Sequence, residues 1–74
     1  MRVAAGDCRR GGEDFAHAVE VDPRQASAWG ALGMARLCLG DAAGARRALR
    51  RAVELAPERA ELAAALARVE ASAN

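Results

Sequence analysis

Few side chains in this sequence could do chemistry. The nucleophile and base candidates are Cys8, Cys38, His17, Ser27 and Ser72, and threonine, tyrosine and lysine are absent. A nucleophile needs a base within hydrogen-bond reach and a third group to orient it. Cys8 and His17 stand in no helical register across Gly11-Gly12, and Glu13 and Asp14 are adjacent, which points two carboxylates apart. Two cysteines and one histidine without a CxxC or HxxxH cluster do not make a zinc site. Gly30 and Gly33 form a GxxG, with no flanking strand to turn it into a phosphate loop. No catalytic, cofactor or metal site is expected. The sharpest polar feature is Arg46, Arg47, Arg50 and Arg51, a basic stripe on one helix face. Such a stripe can touch phosphates. No tyrosine supplies a base-stacking platform, and Glu54 four residues after Arg50 offers partial neutralisation. A solvated face is the favoured reading, and nucleic acid is an unfavoured partner.

The elements that carry these residues are helical. Alanine, leucine, arginine and glutamate dominate 74 residues, isoleucine is missing and aromatics are 3%. That composition suits helix and starves strands. Net charge is +1, so no bulk field selects nucleic acid or an acidic membrane. The uncharged run from Gln25 to Ala35 is too short to cross a bilayer. "MRVAAGDCRR" has no apolar signal core. Two cysteines do not suggest a disulfide framework; the expectation is two buriable thiols in a soluble, cytoplasmic protein. Much of the 53% apolar content is alanine. A chain this short is marginal alone, so membership of a longer array or self-association is expected.

A period of thirty-four residues organises the chain. Gly6-Asp7 aligns with Gly40-Asp41, and Ala18-Val19-Glu20 with Ala52-Val53-Glu54. Pro23 aligns with Pro57, Ala26 with Ala60, Leu32 with Leu66, and Phe15 with Leu49. Four helices follow. The first runs from about Glu13 to Val21, with Asp7 as its earliest start and Gly11-Gly12 obscuring it. The second runs from Arg24 or Gln25 to Leu39, where Gly40 is a natural left-handed cap. The third runs from Ala42 to Leu55 behind the N-cap candidate Asp41. The fourth runs from about Glu58 to Ser72, with Pro57 at its first turn. Short connections make consecutive helices antiparallel.

"AWGALG" followed by "GD" and "ARRALRRAVELAP" resembles a tetratricopeptide repeat, whose signature spans thirty-four residues. Trp29, Leu32, Gly33, Ala45, Leu49, Ala52 and Pro57 fall at the signature spacings. The resemblance implies an all-α fold of antiparallel helix-turn-helix hairpins stacked as a short α-solenoid. It divides the chain into the second helix of a partial repeat (1–25), a full repeat (26–59), and a capping or next-repeat helix (60–74). Arg36 stands where the family usually has an aromatic, and Gly11-Gly12 depart from the earlier repeat's pattern. Gly33 is expected to let the paired helices close around Ala45 and Ala52. Trp29 and Leu32 fill the gap beside that contact. Gly30 is expected to leave room for a ligand. The family's concave surface binds peptides or partner helices, which here implies Ser27, Gly30, Met34, Leu37 and Cys38, then Glu61, Ala64 and Arg68. The lysine–asparagine clamp for C-terminal carboxylates is not available: there is no lysine, and Asn74 is the one asparagine. The function implied is non-catalytic protein–protein contact through the groove. The alternative is a self-associating structural module, a homo-oligomer; weak nucleic-acid binding through the arginine stripe ranks below both.

Overall fold

A computed structural model describes residues 5–72 as four helices and, among them, no strand. They are α1 (Ala5–Val21), α2 (Ala26–Cys38), α3 (Ala42–Leu55) and α4 (Ala60–Ser72). Each helix packs on the next in sequence, most extensively α2 on α3. The connections are residues 22–25, 39–41 and 56–59, too short for anything but antiparallel neighbours.

Helix α3 shows how the sequence dictates its element. The Asp41 carboxylate accepts from the Gly44 N–H at 2.9 Å and caps the first turn. Ala45, Ala48, Leu49 and Ala52 then recur at i, i+3, i+4 and i+7, and all are buried. Ala56 ends the helix at φ −141° and ψ 69°, out of the helical region that the following Pro57 disfavours. Pro57 lies in the turn and the fourth helix begins only at Ala60, two residues later than the sequence suggests.

Helix α2 lacks a side-chain cap at Gln25. Its entry is fixed instead by Trp29, whose indole N–H donates to the Pro23 carbonyl at 2.8 Å. Its exit is a Schellman motif. Gly40 takes φ 83°, its N–H donates to Leu37 O at 3.0 Å, and the Asp41 N–H donates to Arg36 O at 2.9 Å. The left-handed glycine predicted at position 40 is thus present.

Helix α1 corrects two expectations. It continues unbroken through Gly11 and Gly12, although each glycine costs roughly 1 kcal/mol in a helix interior. Tertiary contact holds it. A Cβ on Gly12 would lie 3.6 Å from the Ala35 methyl, so the two backbones run close. Cys8 and Cys38 are not free thiols: they form a disulfide, with Cα atoms 6.1 Å apart. That separation lies within the usual range for a bridge. Two isolated cysteines carry no framework pattern, and only the antiparallel α1–α2 pair brings them together.

The core is built largely of alanine. Val19, Ala28, Leu32 and Ala48 form one cluster, Ala45, Leu49 and Val69 a second, and Ala52, Ala56 and Leu62 a third. Trp29 packs against the first and the third, bridging them. Small side chains on α3 allow close approach, and the larger residues of α2 and α4 fill what remains. A Cβ on Gly33 would lie 2.7 Å from Leu49 Cγ and 3.1 Å from the Ala45 carbonyl oxygen, a spacing no other residue tolerates without movement.

Candidate functional site

The groove is built from two helices and one turn. Ser27, Gly30, Ala31 and Met34 stand at i, i+3, i+4 and i+7 on α2. Glu61, Ala64, Ala65 and Arg68 stand at the same spacing on α4, each thirty-four residues further on. These two rows face one cavity of about 520 Å³, floored by Leu49 and Leu62 and bordered by Arg59. A smaller hollow of about 160 Å³ continues it past Met34 and Ala65 to Leu37.

Gly30 sets the width of the groove. A Cβ there would lie 2.7 Å from Leu62 Cδ2. Leu62 therefore rests against bare α2 backbone, and α4 is drawn in beside α2. This corrects the expectation that the missing side chain leaves space for a ligand: Leu62 takes that space. The room that exists comes from Ala31, Ala64 and Ala65, whose methyl groups leave the walls shallow. Met34 remains 50% exposed on this wall. It offers a flexible, polarizable surface that adapts to irregular partners.

The polar rim carries an ion pair. Arg59 Nε donates to Glu61 Oε1 at 2.7 Å. Hydrogen bonds from its own backbone N–H and then from Arg59 hold the Glu61 carboxyl below the usual carboxylate range. Glu61 is therefore an anion throughout the neutral range.

Of the eight groove residues expected from sequence, Ser27, Gly30, Met34, Glu61, Ala64 and Arg68 line the main cavity. Leu37 lines only the smaller hollow and leans on the Ala45–Leu49–Val69 cluster. Cys38 is misplaced in that expectation, because its sulfur is bonded to Cys8 on α1. Ala31, Ala65 and Arg59, and the floor residues Leu49 and Leu62, were not among the expected groove residues. The two alanines could have been found by completing the i, i+3, i+4, i+7 row and adding thirty-four; Arg59 could not, because the turn alone positions it. The other chemistry-bearing residues stay apart. His17 is exposed on α1, and Cys8 is buried in the bridge. Among the described residues, no three His, Cys, Asp or Glu side chains are grouped to hold a metal ion.

The arginine stripe is exposed along its length. Arg51 pairs with Glu54 at 3.4 Å, and Arg50 reaches across to Glu70 of α4 at 3.6 Å rather than along its own helix to Glu54. Ion pairs this exposed contribute little. Among the described residues, no helix is long and apolar enough to cross a membrane.

No protein-family profile matches the chain. Its sequence is similar to the TPR repeat-containing protein PA0015 of Pseudomonas aeruginosa, with 48% identity over 44 residues. The matched segment is 60% of this chain and 42% of that relative, so the chain spans less than half the length of the protein it matches. With four antiparallel helices, the thirty-four-residue period and this likeness, the chain is a TPR-like helical repeat protein.

Proposed function

We propose that this TPR-like chain is a non-catalytic module that binds a peptide or a partner helix in the groove between α2 and α4. The observation that carries the reading is the shallow apolar cavity of about 520 Å³ with half-exposed Met34 on its wall. Concave, mostly apolar surfaces with a few fixed polar groups are the usual form of binding sites. The occupant favoured by this lining places an apolar side chain between Met34 and Ala64, over Leu62. The Arg59–Glu61 pair at the mouth orients the backbone that follows. In repeat terms, residues 26–59 make the full hairpin, 1–25 contribute the second helix of an incomplete one, and 60–74 the first helix of a next repeat or a cap.

The test is a selection from a random peptide library on the folded, oxidised chain. Peptides so recovered are expected to lose at least about tenfold in affinity on Ala31→Trp, which fills the cavity, and on Met34→Glu. Replacing Arg46, Arg47, Arg50 and Arg51 together by Gln leaves their affinity unchanged. Peptides that ignore both groove substitutions overturn the reading. The Cys8–Cys38 bridge bears on location. Disulfides persist in oxidising compartments, so the bridged form argues for such a compartment over the cytoplasmic placement expected from sequence. Thiol alkylation and mass measurement on protein taken from its native cells decide between them.

A further inference from the structure

The thirty-four-residue offset maps α2 onto α4 and α1 onto α3. Within the chain, α2 and α3 form the tightest helix pair. At one end α4 shows the face that α2 uses in that pair, and at the other α1 shows the face that α3 uses. Both are uncovered among the described residues. Ala67, the counterpart of Gly33, is exposed, and Phe15, the counterpart of buried Leu49, is 38% exposed. We infer that a second copy of this chain covers them: the α4 face of one copy packs on the α1 face of the next as α2 packs on α3 within each.

Two features make the faces complementary. The first is steric. Inside the chain the close crossing sets Gly33 on one helix against Ala45 on the other. Between copies the counterparts are Ala67 and Gly11, so the glycine changes helix while the crossing still joins one glycine and one alanine. The second is electrostatic. Gly44 lies beneath the Arg36 stem, 2.9 Å from Arg36 Cδ to a Cβ built there. Their counterparts between copies are Arg10 and Glu70, of opposite charge. Ala48 and Ala16 share one apolar cluster, and their counterparts are Asp14 and Arg50, again opposite. Arg50 and Glu70 already stand together on the α4 side at 3.6 Å, both about half exposed. Arg10 and Asp14 lie one turn apart on α1, and among the described residues neither takes part in an ion pair. One end thus presents a plus–minus pair and the other the pair that answers it, which fixes partner and register. Because the two surfaces differ, the contact is heterologous and adds copies in a row rather than closing a two-fold dimer. None of this depends on what the groove binds.

Sedimentation velocity on the 74-residue chain over a wide concentration range tests the inference. The wild type is expected to grow past dimer as concentration rises. Phe15→Glu blocks one face and Ala67→Glu the other, and each variant alone is monomeric. An equimolar mixture of the two forms dimers and nothing larger, because each supplies the face its partner lacks. A wild type that stays monomeric overturns the inference and leaves the faces to flanking segments of a longer chain; so does a mixture that stays monomeric. If either variant loses helicity by circular dichroism, a charge exchange decides. Arg10→Glu and Glu70→Arg singly raise the association midpoint about tenfold, and the double variant recovers most of that. A double variant no better than the singles also overturns it.

Discussion

Helices α1 and α3 occupy equivalent places in the repeat, yet they are held in different ways. Helix α3 lies between α2 and α4, and its Ala45, Leu49 and Ala52 are 0% exposed. Their counterparts Gly11, Phe15 and Ala18 lie on a helix that packs chiefly on α2, and they remain open to solvent in part or more. The larger of the two apolar residues is the less buried. Burial in a repeat array is therefore set by how many neighbours a helix has, not by its own hydrophobicity. Helix α1 has one extensive neighbour, α2, and two interior glycines, and a covalent bridge holds it down. Ala42 and Ser72 stand where a second bridge would fall, and α3 does without one.

Three measurements press on this contrast. The largest expected effect is at the equivalent apolar pair. Leu49→Ala should cost about 2–5 kcal/mol of unfolding free energy, because the residue is fully enclosed. Phe15→Ala should cost less, about 1–2 kcal/mol at concentrations where the chain is monomeric, since 38% of the residue is already in water. Urea denaturation of both variants measures the gap; equal losses would mean that the two ends are equally packed. Next is the bridge. Its loop of 30 residues constrains the unfolded chain by about 3–4 kcal/mol in the loop-entropy account. Unfolding with and without reductant should show a loss of that order, and hydrogen exchange should place the loosening in α1. Exchange that quickens in α3 first contradicts the contrast.

The smallest effect is a change of sign. Gly11→Ala should stabilise by up to about 1 kcal/mol, because an added Cβ meets only the Phe15 ring at 4.0 Å and helix propensity improves. Gly33→Ala, the same chemical change, should destabilise by about 1–3 kcal/mol, because its methyl drives into Leu49. Thermal melts of the two variants decide it, and a shift of the same sign in both would break the comparison.

The sequence by itself determined the helices, their order and much of their packing. Asp41 as cap, Gly40 as left-handed exit and the spacing of Ala45, Ala48, Leu49 and Ala52 are local signals, and local signals are legible because they act within a turn or two of chain. The thirty-four-residue period did the same for the groove: most of its lining sits at repeat-related positions on α2 and α4.

What only the tertiary structure decided lies between helices. The Cys8–Cys38 bond joins residues whose one relation is antiparallel proximity. Leu62 rests against the bare backbone at Gly30, which depends on how far α4 slides toward α2. The choice of Glu70 over Glu54 as the partner of Arg50 is a matter of which side chain the packed α3–α4 pair brings within 4 Å. Each is a distance between segments remote in sequence, and such distances follow from how side-chain volumes nest, which no periodicity encodes.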